Sequence, residues 1–184
     1  MVQIDVVDNH GQFTHLEARA LEDLGVTTTI IDNDTPPEAI DADGLVLSGG
    51  PSIEDIGRCG DYLDLEIPIL GICLGMQAIA QQCGGTIGSG EYGGYADVTV
   101  EILDESDPLV GPLAPTTRVW ASHADEVTAV PDAFVVTATS DVCAIEAMSH
   151  RTRDLYGVQW HPEVAHTAEG DTLLRQFITL CQSA

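Results

Sequence analysis

The pattern of this chain predicts an α/β fold over a single domain, residues 1–184. It would have an open, mostly parallel central sheet, flanking helices and extra β-strands in the second half. Three observations predict it. Apolar runs alternate with helical patterns through the first half, as in βαβ units around a parallel sheet. Two of those runs end in glycine-containing corners, at Ser48-Gly49-Gly50-Pro51 and at Gly71-Ile72-Cys73-Leu74-Gly75. Strand signals then crowd the second half, closed by one helical segment.

Taken in order, Ile4 to Val7 is a short buried-strand run. Thr14-His15-Leu16-Glu17 matches a capping box, with Thr14 as N-cap and Glu17 reaching back. Leu16, Ala20, Leu21 and Leu24 follow at helical spacing, and Gly25 closes the helix. Val26 to Ile31 is β-branched and strand-like, and Pro36-Pro37 breaks the path after it. Gly44 to Leu47 and Ile67 to Ile72 read as further buried strands. Leu74 to Cys83 reads as a helix stopped by Gly84-Gly85. The later strand runs are Asp97 to Leu103, Thr117 to Trp120, Phe134 to Thr139, Ala144 to Met148 and Leu155 to Trp160, before a helix over Thr172 to Cys181. Gly84 to Gly94 reads as a turn-rich connection. Its Gly88-x-Gly90 neither follows a strand nor opens a helix, so a dinucleotide-binding context fails.

Composition excludes several functions. The 184 residues are 44% hydrophobic and carry 30 acidic side chains against six arginines and no lysine, a formal net charge of −24. The apolar fraction is too high for disorder, and a chain this long buries roughly 70% of its unfolded surface. A phosphate-cradling G-x-x-x-x-G-K-[ST] loop needs a lysine, as does Schiff-base or pyridoxal phosphate chemistry. Six scattered arginines on an acidic chain argue against nucleic acid. The acidity is spread from Asp5 to Asp171 without a block, which reads as adaptation to concentrated salt. At 1 M ionic strength the Debye length is about 3 Å and self-repulsion is screened.

The N-terminus lacks a basic region ahead of an apolar stretch, and no apolar run approaches the ~20 residues of a membrane span. Cys59, Cys73, Cys83, Cys143 and Cys181 include no C-x-x-C pair, which argues against a disulfide framework and points to the reducing cytoplasm. His161 and His166 lie five apart across a proline, and no H-E-x-x-H helix occurs, so no metal is expected.

The strongest chemical signal is an apolar strand, Pro68 to Ile72, running into Gly71-x-Cys73-x-Gly75 and then a helix. This is a nucleophile elbow with cysteine in place of serine. A nucleophile on a sharp strained turn needs neighbours without side chains, and a helix N-terminus stabilises anionic sulfur and supplies backbone N–H donors. The other four cysteines lack this context and read as structural. A base is available at the end of the last strand, in Trp160-His161-Pro162-Glu163. Residues i and i+2 of an extended segment project to one side, so Glu163 can orient the imidazole of His161. Ser48 to Pro51 lies at the carboxyl end of a strand, where open α/β sheets bind ligands. Trp120 to Val127 is a polar cluster that reads as a solvated loop.

Together these motifs resemble those of the class I (triad-type) glutamine amidotransferases. The resemblance covers the chain from Asp8-Asn9-x-Gly11-Gln12 through Gly71 to Gln77 and Gly157 to Val164 to the last helix. Ser122-His123-x-Asp125-x-Val127 is similar to the GMP-synthase form of that segment, supported by Ile145 to Met148 and by His166-Thr167. Glu91 to Tyr95 departs from the family pattern. The resemblance implies a flavodoxin-like sheet and a glutaminase without a cofactor of its own. Cys73 would attack the glutamine side-chain amide, with His161 as proton carrier and Glu163 orienting it. Gly50 and Leu74 N–H groups would form the oxyanion hole, and Gly49, Pro51, Gln77, Ser122, His123 and Ala124 would hold glutamine. Asp125, with His123, would couple the site to the partner. The resemblance implies that this partner would be an ATP-pyrophosphatase subunit on a separate polypeptide, using ATP and Mg²⁺ to convert xanthosine monophosphate to GMP. The competing readings are a glutaminase for anthranilate or aminodeoxychorismate synthesis, a non-catalytic regulatory module of the same fold, and another elbow-type cysteine hydrolase.

Overall fold

A computed structural model of the protein describes residues 1–184, the side chains of 92–94 excepted. The strands are β1 (Gln3–Asp8), β2 (Thr27–Asp32), β3 (Gly44–Leu47), β4 (Ile69–Ile72), β5 (Thr86–Ile102), β6 (Thr116–Ala129), β7 (Phe134–Ser140), β8 (Ala147–His150) and β9 (Leu155–Val158). The helices are α1 (Thr14–Asp23), α2 (Cys59–Tyr62), α3 (Leu74–Gln82) and α4 (Gly170–Ser183). All nine strands form one sheet in the order β2-β1-β3-β4-β9-β8-β7-β5-β6. The β2-β1-β3-β4-β9 half is parallel and the remainder antiparallel. This is the α/β architecture the pattern predicts, with its extra strands in the second half.

Successive strand residues face opposite sides, so the parallel half carries two cores. Val6, Val46, Leu70, Ile72 and Val158 pack on one face with Leu173, Leu174 and Phe177 of α4. Val7, Leu45, Leu47 and Ile69 pack on the other with Tyr62 of α2 and Met76 and Ile79 of α3. Each such side chain contributes about 1.5–3 kcal/mol by leaving water.

Several expectations need correction. The capping box does not form, because Phe13 is the N-cap of α1 and no side chain caps it. Thr14 Oγ1 instead meets Asp8 Oδ1 at 3.2 Å and Ser48 Oγ at 3.3 Å, so tertiary partners have claimed the capping hydroxyl. Most of the Gly84–Gly94 connection is strand. β5 runs through it and pairs with β6, with a register shift between Ser89 and Gly94 that absorbs its irregularity. The Glu91–Tyr95 departure falls partly on 92–94, whose side chains lie outside the described residues. The Trp120–Val127 loop is also strand, the middle of β6, and β9 ends at Val158 before Gln159 and Trp160 bend away.

The charge reading has a structural counterpart. Among the described residues the only arginine–carboxylate ion pairs are Arg58–Asp61 at 2.8 Å and Arg118–Asp97 at 3.2 Å, both well exposed. Such exposed, screened pairs contribute little, so most of the −24 charge is left to salt screening. Transfer from molar KCl to dilute buffer should therefore lower the thermal midpoint and the far-ultraviolet circular dichroism. An unchanged spectrum and midpoint would contradict this.

Candidate active site

The carboxyl ends of β1, β3, β4 and β9 meet at one place, beside the point where the strand order reverses around β1. That is where ligands of open α/β sheets bind. A cavity of about 280 Å³ opens there, lined by His10 to Phe13 after β1, Gly49 to Pro51 after β3, Cys73 after β4, Ser122 of β6 and His161 after β9.

Cys73 stands between β4 and α3 with φ 55° and ψ −108°, a left-handed backbone that disfavours a side chain. The flanking glycines explain how the turn closes. A Cβ on Gly75 would sit 2.0 Å from the Leu47 carbonyl oxygen, and one on Gly71 would sit 2.5 Å from the Gly75 backbone. Both obstacles are main chain and cannot rotate away. Gly75→Ala should accordingly destabilise the fold by roughly 2 kcal/mol or more and lower turnover by displacing Cys73. Chemical denaturation and glutamate release check both, and a variant of native stability would refute the packing argument. His10, at φ 66°, is a second strained non-glycine residue on the same cavity wall.

His161 is buried, and its Nδ1 lies 2.6 Å from Glu163 Oε1. Its main chain is pinned on both sides: its N–H donates to the Trp120 carbonyl at 3.0 Å, and its carbonyl accepts from Thr167 Oγ1 at 2.6 Å. The ring of Phe13 meets the imidazole edge-on at 5.0 Å. Burial alone would push the imidazole pKa down, but hydrogen bonds with Cys73 and Glu163 outweigh it and hold the pKa up, at about 10. The resting imidazole therefore carries a proton at neutral pH. The arrangement can hand that proton to a leaving group and recover it from water, beside the sulfur of Cys73 at a helix N-terminus.

Other predicted residues fall into two sets. Gly49, Gly50, Pro51 and Ser122 line the cavity with Cys73 and His161. Gly50 is pressed so closely on the β1 loop that a Cβ would stand 2.2 Å from the Asn9 carbonyl oxygen, which brings bare backbone to the cavity. Leu74 opens α3, where the first N–H groups have no partner within the helix. Gln77, His123 and Ala124 do not line the cavity. Gln77 Nε2 donates to the Asp125 carbonyl at 2.9 Å and to Gln159 Oε1 at 3.2 Å, and Gln159 Nε2 reaches Cys73 Sγ at 3.5 Å. Gln77 thus ties β6 to the cysteine from behind. Asp125 has its side chain near Ser89 Oγ, at 3.4 Å, on the exposed surface.

Two features of the site are not evident from the sequence. The His10–Phe13 wall shows there only as a motif, although its place after β1 is a usable signal. Glu17 fits a capping residue, yet it is 2% exposed, accepts from the Gly49 N–H at 3.5 Å and clusters with His161 and Glu163 within 4.8 Å. Burial, then the charge of Glu163, raises its pKa well above the ordinary 4.5 despite His161 and Gly49, with Cys73 adding to the rise. A carboxyl whose pKa is raised by folding binds more protons folded than unfolded, so the fold loses stability as pH climbs from 4.5 through the raised value. Glu17→Gln removes that loss. Its midpoint advantage over the native chain should widen with pH across this window, and parallel curves would contradict it.

Residues 5–181 match the family described as glutamine amidotransferase class-I, and the chain belongs to that family. It is similar to the A-type subunit of glutamine-hydrolysing GMP synthase from Haloarcula marismortui, 66% identical over 98% of this chain and 96% of that protein. It is also similar to the protein of the same name from Halobacterium salinarum, 66% identical over 99% of this chain and 100% of the other. These relatives come from halophilic archaea, in keeping with the acidic surface. The crystal structure of a Thermoplasma acidophilum protein assigned to the same GMP synthase component superposes with a TM-score of 0.94 and 41% identity, covering 100% of this chain and 95% of that one. A glutamine amidotransferase from Thermotoga maritima shares the fold, with a TM-score of 0.73 at 20% identity over 99% of this chain and 89% of that one. Among the described residues no helix is long and apolar enough to cross a membrane.

Proposed function

We propose that this chain is the glutaminase subunit of a two-subunit GMP synthase. The observation that carries the reading is the juxtaposition of Cys73 on its strained turn with the hydrogen-bonded His161–Glu163 pair in one cavity. The near-full-length similarity to archaeal proteins named as a component of glutamine-hydrolysing GMP synthase supports the choice of pathway.

The thiolate of Cys73, its proton held by the His161 imidazolium, attacks the side-chain carbonyl carbon of glutamine and pushes the C=O electron pair onto oxygen. Main-chain N–H groups of Gly50 and Leu74 stabilise the oxyanion of the tetrahedral intermediate. As the C–N bond breaks, His161 gives its proton to the departing amine, releasing ammonia and leaving a γ-glutamyl thioester on Cys73. His161, now neutral, takes a proton from water as its oxygen attacks the thioester carbon, and collapse frees glutamate and the sulfur. Glu163 holds the ring and stabilises its charged form. Gly49, Pro51 and Ser122 line the substrate's space, with Gln77, His123 and Ala124 supporting that wall. Asp125 faces outward, where it couples the site to the second subunit. That subunit is an ATP-pyrophosphatase, which uses ATP and Mg²⁺ to activate xanthosine monophosphate and receives the ammonia; this chain needs no cofactor.

The test is ammonia and glutamate release from glutamine in molar KCl. The chain is assayed alone, then with the ATP-pyrophosphatase subunit, xanthosine monophosphate, ATP and Mg²⁺. Low basal release, stimulation by the full mixture and formation of GMP are expected. Stimulation by an anthranilate-type partner alone, without GMP, would overturn the reading.

A further inference from the structure

Away from the catalytic cavity, strand β6 and the connection between β7 and β8 bring a second group of reactive side chains together. His123 and Glu126 come from β6, and Cys143 and Glu146 from the connection. His123, Cys143 and Glu146 are 6%, 2% and 0% exposed, and one ligand-type atom from each lies within 4.8 Å of the others. Glu126 bears on all three.

The hydrogen bonding of this group is one-sided. His123 Nδ1 lies 3.0 Å from the Asp125 carbonyl, which can only accept, so Nδ1 holds the ring's proton and Nε2 is left with a bare lone pair. Glu146 Oε1 accepts from Ser140 Oγ at 2.7 Å. The atoms left buried without a partner include His123 Nε2, Glu126 Oε2 and Glu146 Oε2. The thiol of Cys143 lies 3.4 Å from the Ile145 carbonyl and also hydrogen-bonds with the Glu126 carboxylate. An orphaned buried acceptor is unfavourable because it has given up water and gained no donor. With His123 and Glu146, each oriented by an outer hydrogen bond, in one cluster with Cys143, a single cation would satisfy His123 Nε2 and Glu146 Oε2 at once. Metal-binding histidines commonly give their other N–H to a backbone carbonyl, as His123 does.

The catalytic cluster of Glu17, His161 and Glu163 differs on this point. There Nδ1 of the imidazole is already hydrogen-bonded to a carboxylate, and the ring is protonated.

We propose that His123, Cys143 and Glu146 form a site for a zinc-class divalent cation that clamps β6 to the β7–β8 connection behind the active cavity. The donor set of one imidazole nitrogen, one sulfur and one carboxylate, with water completing a four-coordinate shell, suits a borderline ion and not magnesium or calcium. Binding expels the Cys143 thiol proton to solvent, together with any carboxyl proton, so it strengthens as pH rises. The clamp reaches the cavity through two short paths. Ser122, next to His123, offers its carbonyl to the Cys73 thiol at 3.8 Å, and the Glu146 carbonyl accepts from the Gln159 N–H at 2.8 Å.

The test uses the full chain carrying Cys73→Ala, so that the active-site thiol cannot bind metal, stripped of metal and held in molar KCl. Titration with Co²⁺ should saturate at one equivalent with a near-ultraviolet thiolate-to-cobalt band and tetrahedral visible bands, and Zn²⁺ should displace it and raise the thermal midpoint. Adding Cys143→Ser should remove the band and the midpoint shift. Glu146→Gln, which preserves volume and can still take the Ser140 hydrogen bond, should weaken Co²⁺ at least tenfold while the thiolate band survives at saturation, and it serves if the serine variant does not fold. Absence of a thiolate band, its persistence without Cys143, or unchanged affinity in Glu146→Gln would overturn the proposal. None of these readouts depends on glutamine turnover.

Discussion

Replacing Cys73 with alanine should lower glutamine turnover by roughly 10³-fold or more, because no other group in the cavity can form the thioester. The informative comparison is with glycine. Both variants lack the sulfur, but only alanine retains a Cβ at φ 55° and ψ −108°. A side chain held in such a region costs on the order of 1–3 kcal/mol, whereas glycine loses only about 0.4–1 kcal/mol through its freer unfolded chain. Cys73→Gly should therefore be inactive yet about 1 kcal/mol more stable than Cys73→Ala, measured by chemical denaturation in molar KCl. An alanine variant equal to or more stable than the glycine variant would show that the turn stores no strain. The elbow is then a place where the protein holds reactivity against its own stability.

The second large effect is expected from Glu163→Gln. The change keeps the volume but removes the negative charge 2.6 Å from His161 Nδ1. Glu163 is one of the groups that hold the imidazole near a pKa of about 10 against burial. Its loss lets burial draw the pKa down, and the amide can turn its N–H₂ toward the ring and select the wrong tautomer. Turnover should fall by roughly 10²–10⁴-fold. The alkaline limb of the pH–rate profile, where the acid that protonates departing ammonia is lost, should move to lower pH.

Stability follows with a definite sign. A histidine whose pKa is raised by folding contributes stability that is complete below its unfolded value near 6.5 and is lost as pH rises through about 10. In Glu163→Gln that contribution should shrink, so the two proteins differ most below about pH 6.5 and converge as pH rises through about 10. A variant with full turnover and an unmoved alkaline limb would remove Glu163 from the machinery.

How far the sequence can be read depends on whether the physical cause is local. Gly71-x-Cys73-x-Gly75 is legible because the pattern marks a strand–turn–helix corner; the crowding at Gly71 arises within that corner, while that at Gly75 comes from Leu47 on the neighbouring β3. His161 and Glu163 are legible because two residues of spacing already bring the side chains together. Glu17 misleads for the opposite reason. Its four-residue context is a valid capping box, and the outcome is decided by Asp8 and Ser48, which take the Thr14 hydroxyl, and by Gly49, whose N–H reaches the carboxylate. The cluster of His123, Glu126, Cys143 and Glu146 is hidden likewise, because no spacing within one segment signals two strand regions meeting. The glycines of β5 conceal a strand behind turn chemistry, since pairing with β6 supplies what its side chains do not.

The position of β9 also bears on how the protein is made. This strand fills the slot between β4 and β8 in the middle of the sheet, yet it begins at Leu155. During synthesis β4 and β8 have already emerged while the strand that must separate them is still missing. At about 5–20 residues per second the gap from Ile72 to Leu155 lasts several seconds or more. Until the gap closes, β4 has an unpaired edge, and β8 joins it in that state once made, open to each other or to neighbouring nascent chains. The same delay keeps the cysteine apart from its histidine. A growing chain already displays the thiol of Cys73 but has no acid at His161, so glutamine cannot be consumed until the last central strand has been inserted.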